Sequence, residues 1–200
     1  MRNEGRVQPL SADDLALSAA VARAQDGDEA AFSVLYRAVQ PGLHGYLGGL
    51  LGEGAEDIAA AVWREIAREL PRFRGDGRGF RGWTASIARR HARGHLRRHA
   101  TPARPAGTNA PPDSTHHLPS EAVLSAPTAR ALVAWLPRAQ AEAVLLRHVV
   151  RLDEPAVARV MGRPVVVVRV LARRGLRGLA RLLDTTEVTR DVAPTPGEPR

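Results

Sequence analysis

The sequence predicts an all-α protein with two small helical domains joined by a flexible, proline-rich linker. Three observations support this fold class. Apolar residues recur every three or four positions in both halves of the chain, as they do on one face of a helix. Prolines are concentrated between the halves, and each half contains an arginine-rich segment. The 200 residues, 44% of them hydrophobic, suffice for two small cores.

The first half of the chain predicts three helices. Residues 28–51 carry apolar side chains at helical spacing, and Pro41 is expected to kink or split that helix. A second helix is predicted from about residue 54 to 70. Residues 71–79 contain three glycines and a proline, which predicts a mobile, arginine-rich loop without regular structure. The third helix is expected to run from residue 80 or 81 to about 98.

The second half follows a segment that cannot form a core. Residues 99–127 contain six prolines among small polar residues, which is typical of a linker. Helical patterns then cover residues 128–136, 138–150, 153–161 and, after a three-residue break at 162–164, a stretch ending near residue 183. The break has the length of a helix-turn-helix turn. The four valines at 165–168 favour a strand by local propensity, so a strand-containing unit is the alternative. Residues 184–200 predict a disordered tail.

The charge distribution indicates a polyanion partner. The net charge is +8, and all 29 basic residues are arginine, whose planar fork suits phosphate. Residues 72–104 hold ten arginines against Asp76 alone, and residues 138–183 hold ten arginines against three acids. Two basic modules on either side of a neutral linker predict two contacts along one polyanion.

Several classes of protein are excluded. The absence of cysteine rules out disulfides and thiolate metal sites and fits a cytoplasmic protein. No window approaches the roughly 20 apolar residues of a membrane span, and the N-terminus lacks the apolar core of a signal peptide. We find no catalytic constellation, so we expect neither an enzyme nor a cofactor. His91, His95 and His99 stand four residues apart, but no carboxylate joins that stripe, and we expect them to be solvated or to face phosphate rather than a metal.

The order of short motifs resembles an extracytoplasmic-function sigma factor of the sigma-70 superfamily. The matching segments in the first half are Gly27-Asp28-Glu29-Ala30-Ala31-Phe32, Ala55-Glu56-Asp57-Ile58 with Val62-Trp63, Leu70-Pro71-Arg72-Phe73-Arg74-Gly75, and Phe80-Arg81-Gly82-Trp83 with Ile87-Ala88-Arg89. Those in the second half are Leu136-Pro137, Glu142, Leu146-Arg147, Val157-Ala158, Met161-Gly162 and Pro164. The resemblance implies a region 2 bundle and a region 4 helix-turn-helix.

This resemblance implies a domain order and a function. The order is an N-terminal extension with a short helix (1–23), a region 2-like domain (24–98), the linker (99–127), a region 4-like domain (128–183) and the tail (184–200). The implied function is to bind core RNA polymerase, recognise and open promoter DNA, and so initiate transcription. The implied partners are core polymerase, promoter DNA and an anti-sigma factor, with no membrane and no small-molecule substrate.

The resemblance also implies three sets of contact residues. Core polymerase would bind Glu56, Asp57, Ile58, Val62, Arg64 and Leu70. The minus-10 element would contact Arg74, Arg78, Phe80, Arg81, Arg89, Arg90, Arg93 and Arg97, where the arginines neutralise phosphates and Phe80 or a pocket in the loop holds a flipped base. Trp83 is expected to lie in the core. The minus-35 element would contact Arg163, Arg169, Arg173, Arg174 and Arg177.

Two departures from the family pattern motivate other hypotheses. Ala60-Ala61 replaces the usual Gln-Glu of the polymerase-binding helix, and Val166–Val170 replaces polar residues at the start of the recognition helix. The second hypothesis is therefore a degenerate sigma-like regulatory or interaction protein with weak or no minus-35 recognition. A plain helix-turn-helix regulator is a third hypothesis, but it leaves the first 100 residues without a role.

Overall fold

The computed structural model describes residues 11–99 and 129–191, with side chains described for residues 11–99 and 132–183. Its helices are α1 (Ala12–Gln25), α2 (Glu29–Leu51), α3 (Ala55–Glu69), α4 (Gly77–His99), α5 (Ala129–Ala134), α6 (Arg138–Val144), α7 (Glu154–Met161) and α8 (Val165–Asp191). A 3₁₀ turn, Leu70–Arg72, follows α3, and a π-helical turn, Leu145–Val149, follows α6. No strand occurs within the described ranges, so the all-α prediction is confirmed. The predicted linker lies outside them except for His99.

Two predictions about the C-terminal region are corrected. The alternative of a strand at the four valines is wrong, because they form the first turn of α8, where the Val168 amide donates to the Pro164 carbonyl at 3.1 Å. Val168 is fully buried, so tertiary packing overrides its strand propensity. The last helix also continues to Asp191, beyond its predicted end near residue 183. Residues 192–200 lie outside the described residues.

The N-terminal helices, α1 to α4, pack into one bundle around large buried side chains. Ser11 and Asp14 form a capping box that starts α1, and α1 contributes Leu17 and Val21 to the core. The predicted split of α2 does not occur, because the helix passes through the exposed Pro41 without a break. Because α1 covers Ala12–Gln25 and packs in this bundle, the region predicted as an N-terminal extension, residues 1–23, includes most of a core helix.

The predicted arginine-rich loop is shorter than expected. Only residues 73–76 lie between the 3₁₀ turn and α4, since α4 already begins at Gly77. Asp76 supports this start by accepting the Gly79 amide at 2.7 Å, while the Gly77 amide donates to the Ser18 hydroxyl at 2.8 Å. A Cβ atom at Gly77 would lie 2.2 Å from the Asp14 carbonyl oxygen, so only glycine allows this approach of α4 to α1.

The C-terminal helices, α5 to α8, form a smaller unit that docks on α2. Gly45 and Gly49 face this unit, and a Cβ atom on them would lie 2.6 Å from Val149 Cγ1 and 2.9 Å from Leu145 Cδ1. Gly42 on the same face approaches the backbone of Val149 and Val150 at 3.3 Å. The π-helical turn therefore packs against the backbone of α2, which a side chain at these positions would prevent.

Candidate nucleic-acid interface

Hydrogen bonds to backbone carbonyls anchor the segment between α3 and α4. The Gln25 side-chain amide donates to the carbonyls of Leu70 and Phe73 at 2.9 and 2.8 Å. The Arg74 guanidinium donates to the carbonyls of Pro71 and Phe73 at 3.2 and 2.9 Å. Arg74 remains exposed, so this sequence-predicted residue presents its charge to solvent from a fixed turn.

Aromatic side chains fill the interior behind this segment. Phe80 is fully buried, and its ring centre lies 5.6 Å from that of Phe73 and 5.7 Å from that of Trp83. The predicted role of Phe80 as a platform for a flipped base is therefore corrected: it packs in the core and offers no face to a base. The half-buried Trp83 stacks on Phe73 at 4.9 Å, as expected of a mainly structural residue.

Two predicted DNA-contacting arginines face a carboxylate on α1. The Arg78 and Arg81 Nε atoms each lie 3.7 Å from an oxygen of Asp14, and Arg78 also lies 3.9 Å from Asp153 on the C-terminal side. Their side chains are only 30% and 21% exposed. Asp14 therefore offsets part of the charge that the sequence pattern assigned to DNA.

The arginines on α4 fall into two groups. Arg90 is paired with Glu65, and the His91 ring nitrogen lies 2.6 Å from the same carboxylate. Partial burial acts to raise the pKa of Glu65, but the hydrogen bond from His91 and the charge of Arg90 prevail and hold it below its usual value. By contrast, Arg93 and Arg97 are exposed, and within the described residues they have no ion-pair partner.

The histidine stripe of α4 does not converge on one point. His91 is engaged with Glu65, whereas His95 and His99 stack on each other with ring centres 4.3 Å apart. No group of three or more side chains in the described part of the chain is arranged to hold a metal ion.

The predicted polymerase-binding residues divide by burial. Glu56, Asp57 and Arg64 are exposed on α3, as a contact surface requires. The other three are core residues, with exposed fractions of 8% for Ile58, 0% for Val62 and 3% for Leu70. The prediction that these three residues contact polymerase directly is therefore corrected: they lie in the core, beneath the exposed residues of α3.

An aromatic patch beside this surface was missed at the sequence level. Phe32, Tyr36 and Trp63 lie together, with Trp63 ring-to-ring distances of 6.1 Å to Phe32 and 4.6 Å to Tyr36. The Trp63 indole donates a hydrogen bond to Gln40. The four-residue spacing of Phe32 and Tyr36 on α2 was the available signal, but only the fold brings Trp63 to them.

The helix-turn-helix consists of α7, the turn at Gly162–Pro164 and α8. Asp153 caps α7 by accepting the Ala156 amide at 2.7 Å, and Gly162, with φ of 64°, ends it. On α8, Val166, Val167 and Val170 are 67%, 36% and 41% exposed. Apolar surface therefore occupies the start of the helix that would enter the major groove.

The arginines of α8 point in different directions. Arg169 pairs with Glu154 at 2.7 Å, and this hydrogen bond holds the pKa of Glu154 below its usual value. Arg174 and Arg177 instead line a cleft beside Trp135, between the α5–α6 connection, α6 and α8. The predicted minus-35 set of five arginines, including the exposed Arg163 and Arg173, therefore does not form one surface.

A buried carboxylate joins the two halves of the protein. Glu142 on α6 is 8% exposed, and it accepts hydrogen bonds from Arg89 Nε at 2.6 Å and from the Tyr46 hydroxyl at 3.2 Å. Burial raises the pKa of the Tyr46 hydroxyl well above its usual value, and the adjacent Glu142 charge adds to the rise. Arg89, predicted to contact DNA, is thus committed to this junction. Sequence reasoning missed it, because the partners are 53 and 96 residues apart.

The predicted minus-10 surface also faces the C-terminal helices. A cleft of about 380 Å³ separates the anchored turn, residues 70–76 with Arg72 and Arg74, from α7, with Ala156 and Arg159. In this arrangement α7 lies over one side of the arginine-bearing turn.

Comparison with known proteins gives a consistent similarity. Residues 35–101 match the Sigma-70 region 2 family. Over 169 residues the chain is 30% identical to the ECF RNA polymerase sigma factor BldN of Streptomyces coelicolor, covering 82% of this chain and 64% of the relative. The matched part of the chain therefore spans just under two thirds of the length of this curated relative.

Two solved structures share the fold. CnrH, in complex with the cytosolic domain of CnrY, is 19% identical with a TM-score of 0.59, and the match covers 85% of this chain and 98% of that chain. The sigma factor RpoE from Bartonella quintana, in complex with the anti-sigma factor NepR, is 17% identical with a TM-score of 0.59, covering 76% of this chain and 96% of that chain. No helix in the described part of the present chain has the length and apolar character of a membrane span.

Proposed function

We propose that this chain, which belongs to the extracytoplasmic-function sigma factors of the sigma-70 family, binds core RNA polymerase and directs promoter recognition, promoter opening and transcription initiation. The observation that carries the proposal is the match of residues 35–101 to sigma region 2, since the described part of that match includes most of α2 and all of α3 and of α4, which bears the arginines.

The proposed minus-10 contacts begin at the anchored turn. Arg74 is exposed there, and Arg93 and Arg97 extend the basic surface along α4. Single-stranded DNA is held by cations that follow its phosphates, next to a surface that accepts bases. With Phe80 buried, we assign the base-holding role to the cleft beside Arg74 and Trp83 rather than to an exposed ring.

The proposed minus-35 contacts involve mainly phosphates. Arg163 and Arg173 are exposed near the start of α8, while Arg169 is partnered by Glu154. The exposed Val166 and Val170 offer only apolar contacts, which on DNA means the methyl group of thymine.

Engaging both promoter elements requires the two halves to separate. The minus-10 and minus-35 elements are about 25 base pairs apart, or about 85 Å of B-form DNA. Here α4 and α7 are in contact. A segment of about 29 residues, such as 99–127, reaches at most about 105 Å when extended. We therefore propose that the docked arrangement is a resting form and that polymerase and DNA bind a separated form.

The proposed partners follow from this function. They are core polymerase, promoter DNA and an anti-sigma factor. Core polymerase would bind the exposed face of α3 with Glu56, Asp57 and Arg64. We propose that the chain acts with polymerase in the cytoplasm and supplies no catalytic group of its own.

The test is transcription in vitro with purified core polymerase and a genomic promoter library. We expect sequence-dependent start sites that require the chain. Polymerase binding without any such start sites would overturn the proposal.

A second measurement tests the role of the arginines in the anchored turn and in the first turns of α4. Replacing Arg74, Arg78 and Arg81 with Ala should reduce open-complex formation, measured by permanganate reactivity, more than polymerase binding. Arg37→Ala, an exposed arginine on α2, is the matched control and should change neither. Equal loss of both readouts in the triple variant would contradict the role of these three arginines in promoter opening.

A further inference from the structure

The junction between the two halves contains a cleft of about 310 Å³ lined by arginines from both. Helix α4 contributes Arg89, Arg93 and Arg97, at successive four-residue steps on one face. The C-terminal side contributes Arg138, at the start of α6, and Arg163, in the helix-turn-helix turn. We call this the junction cleft.

Within the described residues, carboxylates do not balance the charges of the junction cleft. Its carboxylate, Glu142, is already occupied by Arg89 and the Tyr46 hydroxyl. Within the described residues, the other four arginines of the cleft make no ion pair and are exposed. Elsewhere Arg78, Arg81, Arg90 and Arg169 each face a carboxylate. Five guanidinium groups and one carboxylate leave four positive charges in this cleft.

This arrangement fits a small anion with several negative charges. Arginine binds phosphate oxygens through two parallel N–H groups, which is stronger and more directional than a point charge. A volume of about 310 Å³ is at the lower end of the size of small-molecule sites. The fold holds these arginines close together although their like charges repel one another. A bound anion is attracted to all of them at once and relieves that repulsion.

We propose that the junction cleft binds a compound with linked phosphate groups, such as a polyphosphate or the phosphates of a nucleotide, and that the bound anion holds the two halves docked. The site needs arginines from both halves, so the anion binds the docked arrangement and not the separated one. This inference goes beyond the proposed function and takes from it only the separated form; binding of the anion in the junction cleft does not rest on promoter recognition.

The first experiment titrates the full chain with sodium tripolyphosphate and measures Tm, with sodium sulfate at equal ionic strength as reference. We expect a saturable rise of roughly 5 °C or more at a hundredfold excess over Kd, and a stoichiometry of one per chain by calorimetry. A response no larger than that to sulfate, or a stoichiometry of several per chain, would overturn the proposal.

Two matched variants locate the site. Arg93→Gln with Arg163→Gln should weaken tripolyphosphate binding at least tenfold, while Tm without ligand stays the same or rises because repulsion is removed. Arg37→Gln with Arg151→Gln removes one exposed arginine from each half outside the cleft and should leave binding unchanged. Equal weakening in both variants would mean only a general charge effect and would overturn the proposal.

A third variant tests the need for both halves. Gly45→Leu changes no cleft residue but disfavours docking of the C-terminal helices on α2, so it should weaken tripolyphosphate binding about fivefold while leaving all five arginines in place. Unchanged binding would show that one half suffices.

A DNA arm distinguishes the source of the phosphate. Binding of a fluorescent 20-base-pair duplex of arbitrary sequence is measured for the same variants. Weaker duplex binding by the Arg93/Arg163 variant, with no saturable effect of tripolyphosphate on the unmodified chain, would assign the cleft to the DNA backbone and overturn the small-anion proposal. A transcriptionally inactive chain that still binds one tripolyphosphate would refute the proposed function but not this inference.

Discussion

The N-terminal bundle and the C-terminal helices differ in the size of the side chains that fill their cores. The largest fully buried side chains of the N-terminal bundle include Tyr46, Phe80 and Ile66, whereas those of the C-terminal helices are Leu146, Val157 and Val168. The C-terminal unit also places Leu145 and Val149 against α2. The smaller unit thus completes its packing on the larger one.

This difference indicates that the C-terminal unit gains a larger share of its stability from docking than the N-terminal bundle does. Burial of apolar surface contributes about 25 cal/mol per Å², so a unit with few large side chains gains proportionally more from a neighbour. We therefore expect changes within the N-terminal core to unfold the protein, and changes at the junction to separate the halves.

The largest effect is expected from Phe80→Ala. It removes the ring that packs on Phe73 and Trp83 and should lower the free energy of unfolding by about 3–5 kcal/mol. Chemical denaturation followed by circular dichroism measures this loss. Phe80→Leu keeps most of the volume and should cost much less. If both variants retain full stability but lose promoter opening, Phe80 is a base contact and not a core residue.

At the junction, Glu142→Gln should have the next largest effect. It leaves the guanidinium of Arg89, whose side chain is only 15% exposed, without its negative partner, and we expect a loss of about 2–3 kcal/mol. A double-mutant cycle with Arg89→Gln measures the coupling across the halves. Additive effects of the two changes would show that the pair does not hold the halves together.

A smaller effect is expected from Gly45→Leu. Leucine favours a helix over glycine by nearly 1 kcal/mol, but its side chain would overlap Val149, at a cost of about 1–3 kcal/mol. The net loss should be about 1 kcal/mol, with faster proteolysis of the C-terminal helices than of the N-terminal bundle. Gly94→Leu on α4, where a Cβ meets only Arg98, should instead stabilise the protein. A gain of stability in both variants would contradict docking at Gly45.

The helices were predictable from the sequence because their signals are local. Periodicity located α2 and α3 to within a residue or so, and the turn at Gly162–Pro164 separated α7 from α8. The start of α4 was missed, because the glycines at 77 and 79 argue against a helix, and only the contact with α1 makes glycine a requirement there. The strand propensity of Val165–Val168 was likewise overridden by burial of Val168.

The candidate site was less predictable because its partners come from distant parts of the sequence. Counting arginines identified α4, but no local pattern shows that Arg89 is bound to Glu142, that Arg81 faces Asp14, or that Arg93 shares a cleft with Arg163. Pattern alone also cannot distinguish a buried Phe80 from an exposed one. Charge identifies a basic segment, whereas the fold decides which charges remain available.

The smallest expected effect lies within the C-terminal helices, at the exposed pair of Glu154 and Arg169. The hydrogen bond from Arg169 holds the pKa of Glu154 below its ordinary value of 4.5. Because the folded-state pKa is lowered, the pair stabilises the folded state above the unfolded pKa, and this contribution is lost as pH falls below 4.5 through the folded-state pKa. NMR titration of the Glu154 side chain should show the lowered pKa in the unmodified chain and a value near 4.5 in Arg169→Gln. The junction is unaffected by this change, so the coupling between Glu142 and Arg89 should stay the same. A normal Glu154 pKa in the unmodified chain would show that Arg169 is free in solution, and would return it to the arginines available for DNA.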